Sequence, residues 1–173
     1  LGNAYIKLNK FEQAIHYFIK ALDLSLVLDM QDTSDIYVYC GNAYMELNEY
    51  SKAVAAFSQA IKINSNFVSA YYNRGRAYYY LRENDNAIND FTKVMNLDLD
   101  YMESYYYRGL AYLDKGNFKQ AIEDFSFAIK LNPSYASAYL NRGKAYQALG
   151  EIEKADADFN KLSELTKKVT SKP

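Results

Sequence analysis

Between Tyr105 and Pro133 the chain reads YYYRGLAYLDKGNFKQAIEDFSFAIKLNP, with apolar and small residues three or four places apart on either side of Gly116-Asn117. That spacing gathers apolar side chains on one face of a helix. The stretch therefore predicts two short amphipathic helices, joined at Gly116-Asn117 and stopped at Asn132-Pro133. The rest of the chain repeats this unit. Gly41, Gly75, Gly109 and Gly143 stand 34 residues apart, and a further copy around Gly2 precedes Gly41 by 39. A period of this length signals a stack of like units, none of which buries both its faces alone.

With the shared glycine numbered 8, position 11 is Tyr5, Tyr44, Tyr78, Tyr112 and Tyr146. Position 20 is Ala14, Ala53, Ala87, Ala121 and Ala155, and position 24 is Phe18, Phe57, Phe91, Phe125 and Phe159. Position 27 is Ala21, Ala60, Val94, Ala128 and Leu162, and position 4 is Tyr37, Tyr71, Tyr105 and Tyr139. Antiparallel helices come close where side chains are small, so the glycine is expected to face a small residue across the hairpin. The aromatics at 4, 11 and 24 are then expected to fill the wedge between one hairpin and its neighbours.

The copies run about 1–30, 34–66, 68–100, 102–134 and 136–167, one array over 1–168 followed by a frayed tail at 169–173. Turns are expected at Asn9-Lys10, Asn48-Glu49, Arg82 to Asn86, Gly116-Asn117 and Gly150-Glu151. In the third copy Asn84 replaces the apolar residue that the others carry at position 17 (Phe11, Tyr50, Phe118, Ile152), so that turn should be the least well packed. The second helix of the first copy stays helix-compatible to Met30, and Asp32, Thr33 and Ser34 offer caps for the helix that follows. No separate polar capping helix follows the fifth copy, so either the chain ends early here or an end face is expected to pack on another molecule.

The period of 34 and the Gly, Tyr, Ala, Phe, Ala order resemble the tetratricopeptide repeat family, from Leu1 to about Lys167. The departures are Tyr for Trp at position 4, Arg or Cys for Leu at position 7, and a Pro at position 32 only as Pro133. The resemblance implies an all-α fold, a right-handed superhelical solenoid of antiparallel helix pairs with about five repeats, the first truncated. A pentatricopeptide-type RNA binder is the neighbouring reading. The Gly/Ala pairing and the lack of a basic stripe argue against it.

Half of the 173 residues are apolar, with 19 Tyr and 9 Phe, which excludes a disordered chain. A net charge of −1 gives no strong drive toward nucleic acid or anionic lipid, and neither is expected as a partner. Cys40 is the only cysteine, which fits a reducing, cytoplasmic setting. No apolar run approaches a membrane span. The chain begins without Met at repeat position 7 and reads as a piece of a longer protein.

Two positions change together. Position 7 reads Leu1, Cys40, Arg74, Arg108, Arg142, and position 23 reads Tyr17, Ala56, Asp90, Asp124, Asp158. Arg and Asp occur in the same three copies, at similar heights in the hairpin. Buried charge needs a partner, so the pairs Arg74–Asp90, Arg108–Asp124 and Arg142–Asp158 are expected.

In the family that the chain resembles, the first helix of each pair lines a concave face through positions 2, 5, 6, 9, 12 and 13. The second copy places Asp35, Val38, Tyr39, Asn42, Met45 and Glu46 there, and the third Ser69, Tyr72, Asn73, Arg76, Tyr79 and Tyr80. The fourth places Glu103, Tyr106, Tyr107, Leu110, Leu113 and Asp114, and the fifth Ser137, Leu140, Asn141, Lys144, Gln147 and Ala148. Tyr offers contact area at low entropic cost, and Asn both donates and accepts, as a peptide backbone requires. Tyr39, Asn42, Tyr72, Asn73, Arg76, Tyr79, Tyr80, Tyr106, Tyr107, Leu110, Asn141 and Lys144 are the candidate peptide-binding residues. Against this stands a packing role between adjacent repeats for Tyr72, Tyr79, Tyr106 and Tyr107. The family's chaperone-type clamp for a C-terminal carboxylate keeps its asparagines at Asn42 and Asn73. It loses its cations, since Val38, Glu103 and Tyr107 stand where Lys, Lys and Arg are needed.

Nothing in the chain reads as an enzyme, a metal site or a cofactor site. His16 is the only histidine and is expected to be exposed, and Cys40 is expected to be a small buried residue. The leading expectation is a scaffold binding an extended or helical peptide in its groove. The alternatives are weak self-association in a structural role, and regulation of an activity elsewhere in a parent protein.

Overall fold

The computed structural model describes residues 1–27 and 33–170. Among them are ten helices and no strand: α1 Gly2–Lys7, α2 Phe11–Val27, α3 Ser34–Glu46, α4 Tyr50–Ile63, α5 Val68–Tyr80, α6 Asn84–Leu97, α7 Met102–Asp114, α8 Phe118–Leu131, α9 Ala136–Ala148 and α10 Ile152–Thr170. Two compact units form, Leu1–Leu97 and Asp98–Pro173. In the first, the hairpins α1/α2, α3/α4 and α5/α6 stack in chain order through α2 on α3 and α4 on α5. In the second, the hairpins α7/α8 and α9/α10 stack through α8 on α9.

The five turns share one backbone solution. Asn9, Asn48, Arg82, Gly116 and Gly150, all at position 15, have φ of 53°, 58°, 63°, 74° and 76°. The next amide then donates to the carbonyl five residues back, as Glu49 N to Tyr44 O and Asn117 N to Tyr112 O, both 2.9 Å. This left-handed cap satisfies carbonyls at the end of the first helix, and Asn or Gly adopts it at least cost. Arg82 is the exception. Its turn is also shorter than expected, because α6 starts at Asn84. Asn84 is half-buried, and its Oδ1 is buried without a hydrogen-bond partner.

The shared glycine does not face a small residue. A Cβ on Gly41 would lie 2.5 Å from the Phe57 ring, and one on Gly109 would lie 2.7 Å from the Phe125 ring. Phe57, Phe91 and Phe125 are fully buried. The phenylalanine at position 24 thus lies within its own hairpin, over the glycine, and the alanine at position 20 is buried in every copy. Tyrosine at position 4 ties the third, fourth and fifth hairpins to the loops before them. Tyr71, Tyr105 and Tyr139 donate their hydroxyls to the carbonyls of Ser65, Leu99 and Pro133, at 3.3, 3.1 and 3.3 Å.

All three arginine–aspartate pairs form, each through two bonds. Arg74 Nε and Nη2 reach Asp90 at 2.7 and 2.8 Å, and Arg142 reaches Asp158 at 2.8 and 2.7 Å. Arg108 reaches Asp124 at 2.8 and 2.7 Å. In two copies the guanidinium lies between the tyrosines at positions 4 and 11. Arg74 is 5.6 Å from the Tyr71 ring and 5.8 Å from Tyr78, and Arg142 is 5.6 Å from Tyr139 and 5.9 Å from Tyr146. Nη1 then crosses to the preceding repeat, donating from Arg74 to Ser58 Oγ at 3.0 Å and from Arg142 to Ser126 Oγ at 2.9 Å. The pair therefore locks a hairpin internally and fixes its register on the hairpin before it. Burial pushes the Asp90 and Asp124 carboxyls above the usual carboxylate range against the pull of their arginines, so desolvation offsets much of what the bonds return.

The second helix of the first copy runs 17 residues to Val27, against 14 in α4. Its expected extension to Met30 and the Asp32 cap lie outside the described residues. Thr33 is the N-cap of α3 but makes no side-chain cap bond. At the other end α10 is helical for 19 residues through Thr170, into the stretch expected to fray, and residues 171–173 of that tail lie outside the described residues.

Candidate peptide-binding surfaces

In the first unit the candidate residues come from α3 and α5. Tyr39 and Tyr80 are each 42 % exposed, and Asn42, Tyr72, Asn73, Arg76 and Tyr79 are half-buried. Ring contacts hold them in place. Tyr39 stacks on Phe18 at 5.6 Å, Tyr80 stacks on Tyr50 at 4.9 Å, and Tyr79 lies tilted against Tyr80 at 5.8 Å. Tyr72 leans on buried Phe91 at 6.1 Å. The Arg76 guanidinium lies 5.7 Å over the Tyr72 ring, and its Nη1 donates to Asn73 Oδ1 at 3.4 Å. This is a surface of preordered rings with amides and one cation among them. Its chemistry suits a peptide, whose backbone can meet the amides while its side chains meet the rings.

In the second unit the residues come from α7 and α9. Tyr106, Tyr107 and Leu110 are half-buried, and Lys144 is exposed. Tyr106 lies 5.9 Å from Phe125, 4.8 Å from Tyr135 and 5.6 Å from Tyr107. Asn141 donates from Nδ2 to Tyr106 Oη at 3.1 Å and to Ser137 O at 3.0 Å, and is only 9 % exposed. Tyr106 and Asn141 thus join α7 to α9. Burial, above all, raises the Tyr135 phenol well beyond its ordinary value, so it stays neutral.

Position 5 is a packing position in both units. Val38 is 7 % exposed in the core with Ala53 and Phe57, and so is not at the surface where the sequence expectation put it. Tyr72 and Tyr106 occupy the same position and lie against Phe91 and Phe125. Both rings thus pack inside their own hairpins, and Tyr106 also meets the next repeat, through Tyr135 and Asn141. Tyr135 was missed by the sequence reading. Its signal was an aromatic recurring just before each first helix, at Phe67, Tyr101 and Tyr135, each the N-cap of the helix that follows. Ser58 and Ser126, the acceptors for the arginines, were missed as well.

Cys40 is 3 % exposed and burial pushes its thiol up to about 11, so it is held as the neutral thiol. His16 is exposed. Among the described residues no group of three or more His, Cys, Asp or Glu is placed to hold a metal. No described helix is long and apolar enough to cross a membrane.

A family model described as a tetratricopeptide repeat matches residues 1–26, 68–101 and 136–168, and one described as a TPR repeat matches 41–82 and 109–150. No curated protein matches the sequence. Among solved structures, one of MamA is 24 % identical with a TM-score of 0.92, over 99 % of this chain and 98 % of that one. A MamA fragment from Desulfovibrio magneticus RS-1 is 21 % identical with a TM-score of 0.88, over 96 % of this chain and 92 % of that one. YrrB, described as a TPR protein with an unusual peptide-binding site, is 22 % identical with a TM-score of 0.81, over 95 % of this chain and 82 % of its own. At these identities the likeness is one of fold.

Proposed function

The chain belongs to the tetratricopeptide repeat family, and from that membership we propose that it is a non-catalytic scaffold holding an extended or helical peptide against the first helices of its repeats. The observation that carries the reading is the α3/α5 surface. There Tyr39 and Tyr80 stay 42 % exposed while stacked on Phe18 and Tyr50, with Asn42 and Asn73 on the same two helices. Rings already fixed by stacking lose little entropy when a partner covers them. YrrB lends support, because a protein of this fold is described as binding peptide. A carboxylate-clamp partner fits poorly: Val38, where a clamp lysine would stand, is buried among apolar side chains. A protein partner rather than nucleic acid or lipid suits a net charge of −1, and the neutral, buried Cys40 suits the reducing cytoplasm.

The test uses peptides selected on the protein from a random display library, titrated calorimetrically against the intact chain and an Asn42→Ala/Tyr80→Ala variant. At least a tenfold loss of affinity is expected, with helicity by circular dichroism unchanged. Equal affinity for a folded variant sinks the reading.

A further inference from the structure

The second repeat breaks the chain's own pattern at one place, and the break leaves a pocket. In the third and fifth repeats an arginine at position 7 sits between two tyrosines, pairs with an aspartate at position 23, and reaches a serine at position 25 of the repeat before. The second repeat keeps both tyrosines, Tyr37 and Tyr44. Every polar member of the set is replaced, Arg by Cys40, Asp by Ala56, and the serine of the preceding repeat by Ile19. Among the described residues the space is not filled by rearrangement. A pocket of about 310 Å³ remains, with Ile19, Tyr37, Cys40, Tyr44, Lys52 and Ala56 among its lining.

Its chemistry limits what can enter. A partner's arginine would find no carboxylate within, and an unpaired guanidinium out of water is costly. Lys52 already lies 5.6 Å over the Tyr44 ring and adds like charge. An apolar side chain meets none of these penalties. At about 310 Å³ the pocket lies at the lower end of the range on the order of 300–1,000 Å³ that is usual for small ligand sites, and it admits an aliphatic side chain of leucine size. Lys52, with 62 % of its side chain exposed at the rim, pairs there with Glu49 at 2.9 Å, an exposed contact that it can exchange for a carboxylate outside the pocket.

We propose that this pocket docks a single aliphatic side chain of an acidic partner segment, a leucine-sized residue flanked by carboxylates, with the apolar group taking the place of the missing arginine–aspartate pair and Lys52 meeting the acid. Positions 4, 7 and 11 lie on the side of α3 away from positions 5, 9 and 12, so this surface is separate from the peptide-binding face and does not depend on it.

The test is a ¹H–¹⁵N NMR titration of the whole chain with the blocked tripeptide Ac-Glu-Leu-Glu-NH2. Saturable shifts are expected at the amides of Cys40, Lys52 and Ala56. They should be absent with Ac-Glu-Gly-Glu-NH2 and at least threefold weaker with Ac-Lys-Leu-Lys-NH2. A Cys40→Arg/Ala56→Asp variant, which installs the pair the other repeats carry, should abolish binding. Lys52→Glu, an exposed change that leaves the core intact, should reverse the charge preference. Shifts centred elsewhere, equal binding of the glycine peptide, or an unchanged charge preference in Lys52→Glu would each overturn the proposal.

Discussion

Arg108 and Asp124 meet across their hairpin through two parallel bonds, Nε to Oδ2 at 2.8 Å and Nη2 to Oδ1 at 2.7 Å. The aspartate side chain is only 5 % exposed and the arginine 19 %. Removing one partner strands the other, so Asp124→Ala should cost about 3–5 kcal/mol of unfolding free energy. Replacing both, as Arg108→Met with Asp124→Leu, should leave stability within about 1 kcal/mol of the wild type or above it. Urea unfolding of the two variants checks this. Equal losses in both would mean that the pair contributes net stability rather than register.

Arg82 is the one long side chain in the left-handed turn position, at φ 63°. An L-residue there costs roughly 1–2 kcal/mol, of which glycine's extra freedom in the unfolded chain takes part back. Arg82→Gly should therefore raise stability by about 0.5–1 kcal/mol, seen as a higher thermal midpoint. Gly116→Ala, at φ 74° with open space around its Cβ, should lower stability by a similar amount through strain alone.

Asn84 occupies the site that Phe11, Tyr50, Phe118 and Ile152 fill with apolar groups, and its Oδ1 is buried without a partner. Asn84→Phe should stabilise the first unit by about 1 kcal/mol or more, by removing that oxygen and burying a ring. Chemical unfolding of the variant measures it, and a loss would show that the site has no room for the ring.

Cys40 keeps its proton to about 11, where an exposed thiol would lose it near 9. Between those values the native state binds more protons than the unfolded one, so stability should fall as pH rises through that window. Below it the thiol adds no pH dependence. The same neutral, buried sulfur should react with a disulfide reagent at pH 8 far more slowly in the native protein than in urea, followed by absorbance. Native reaction at the unfolded rate would contradict its burial.

Much of this was legible in the sequence because repetition supplies its own controls. Arg74, Arg108 and Arg142 appear only where Asp90, Asp124 and Asp158 do, and that alone named all three pairs. Asn48 and Gly116 marked the turns because few residues tolerate the backbone they need. What could not be read was the choice among side chains on one helix face. Ala53 and Phe57 are one turn apart, and only the tilt of the hairpin decides that Phe57 covers Gly41. The candidate surface suffered in the same way. Val38 and Asn141 were expected on it and are buried instead, because whether such a residue is covered depends on the size of its neighbours, here Phe57 and Tyr106.

The claim that the first helices of the repeats receive a peptide is tested most directly by hydrogen–deuterium exchange on the intact chain, with and without a display-selected peptide at saturation. Slowed exchange in α3 and α5 around Tyr39, Asn42, Asn73 and Tyr80, with α4 and α6 little changed, is the predicted result. Protection confined to the second helices, or to the pocket around Cys40 and Ala56, would contradict it.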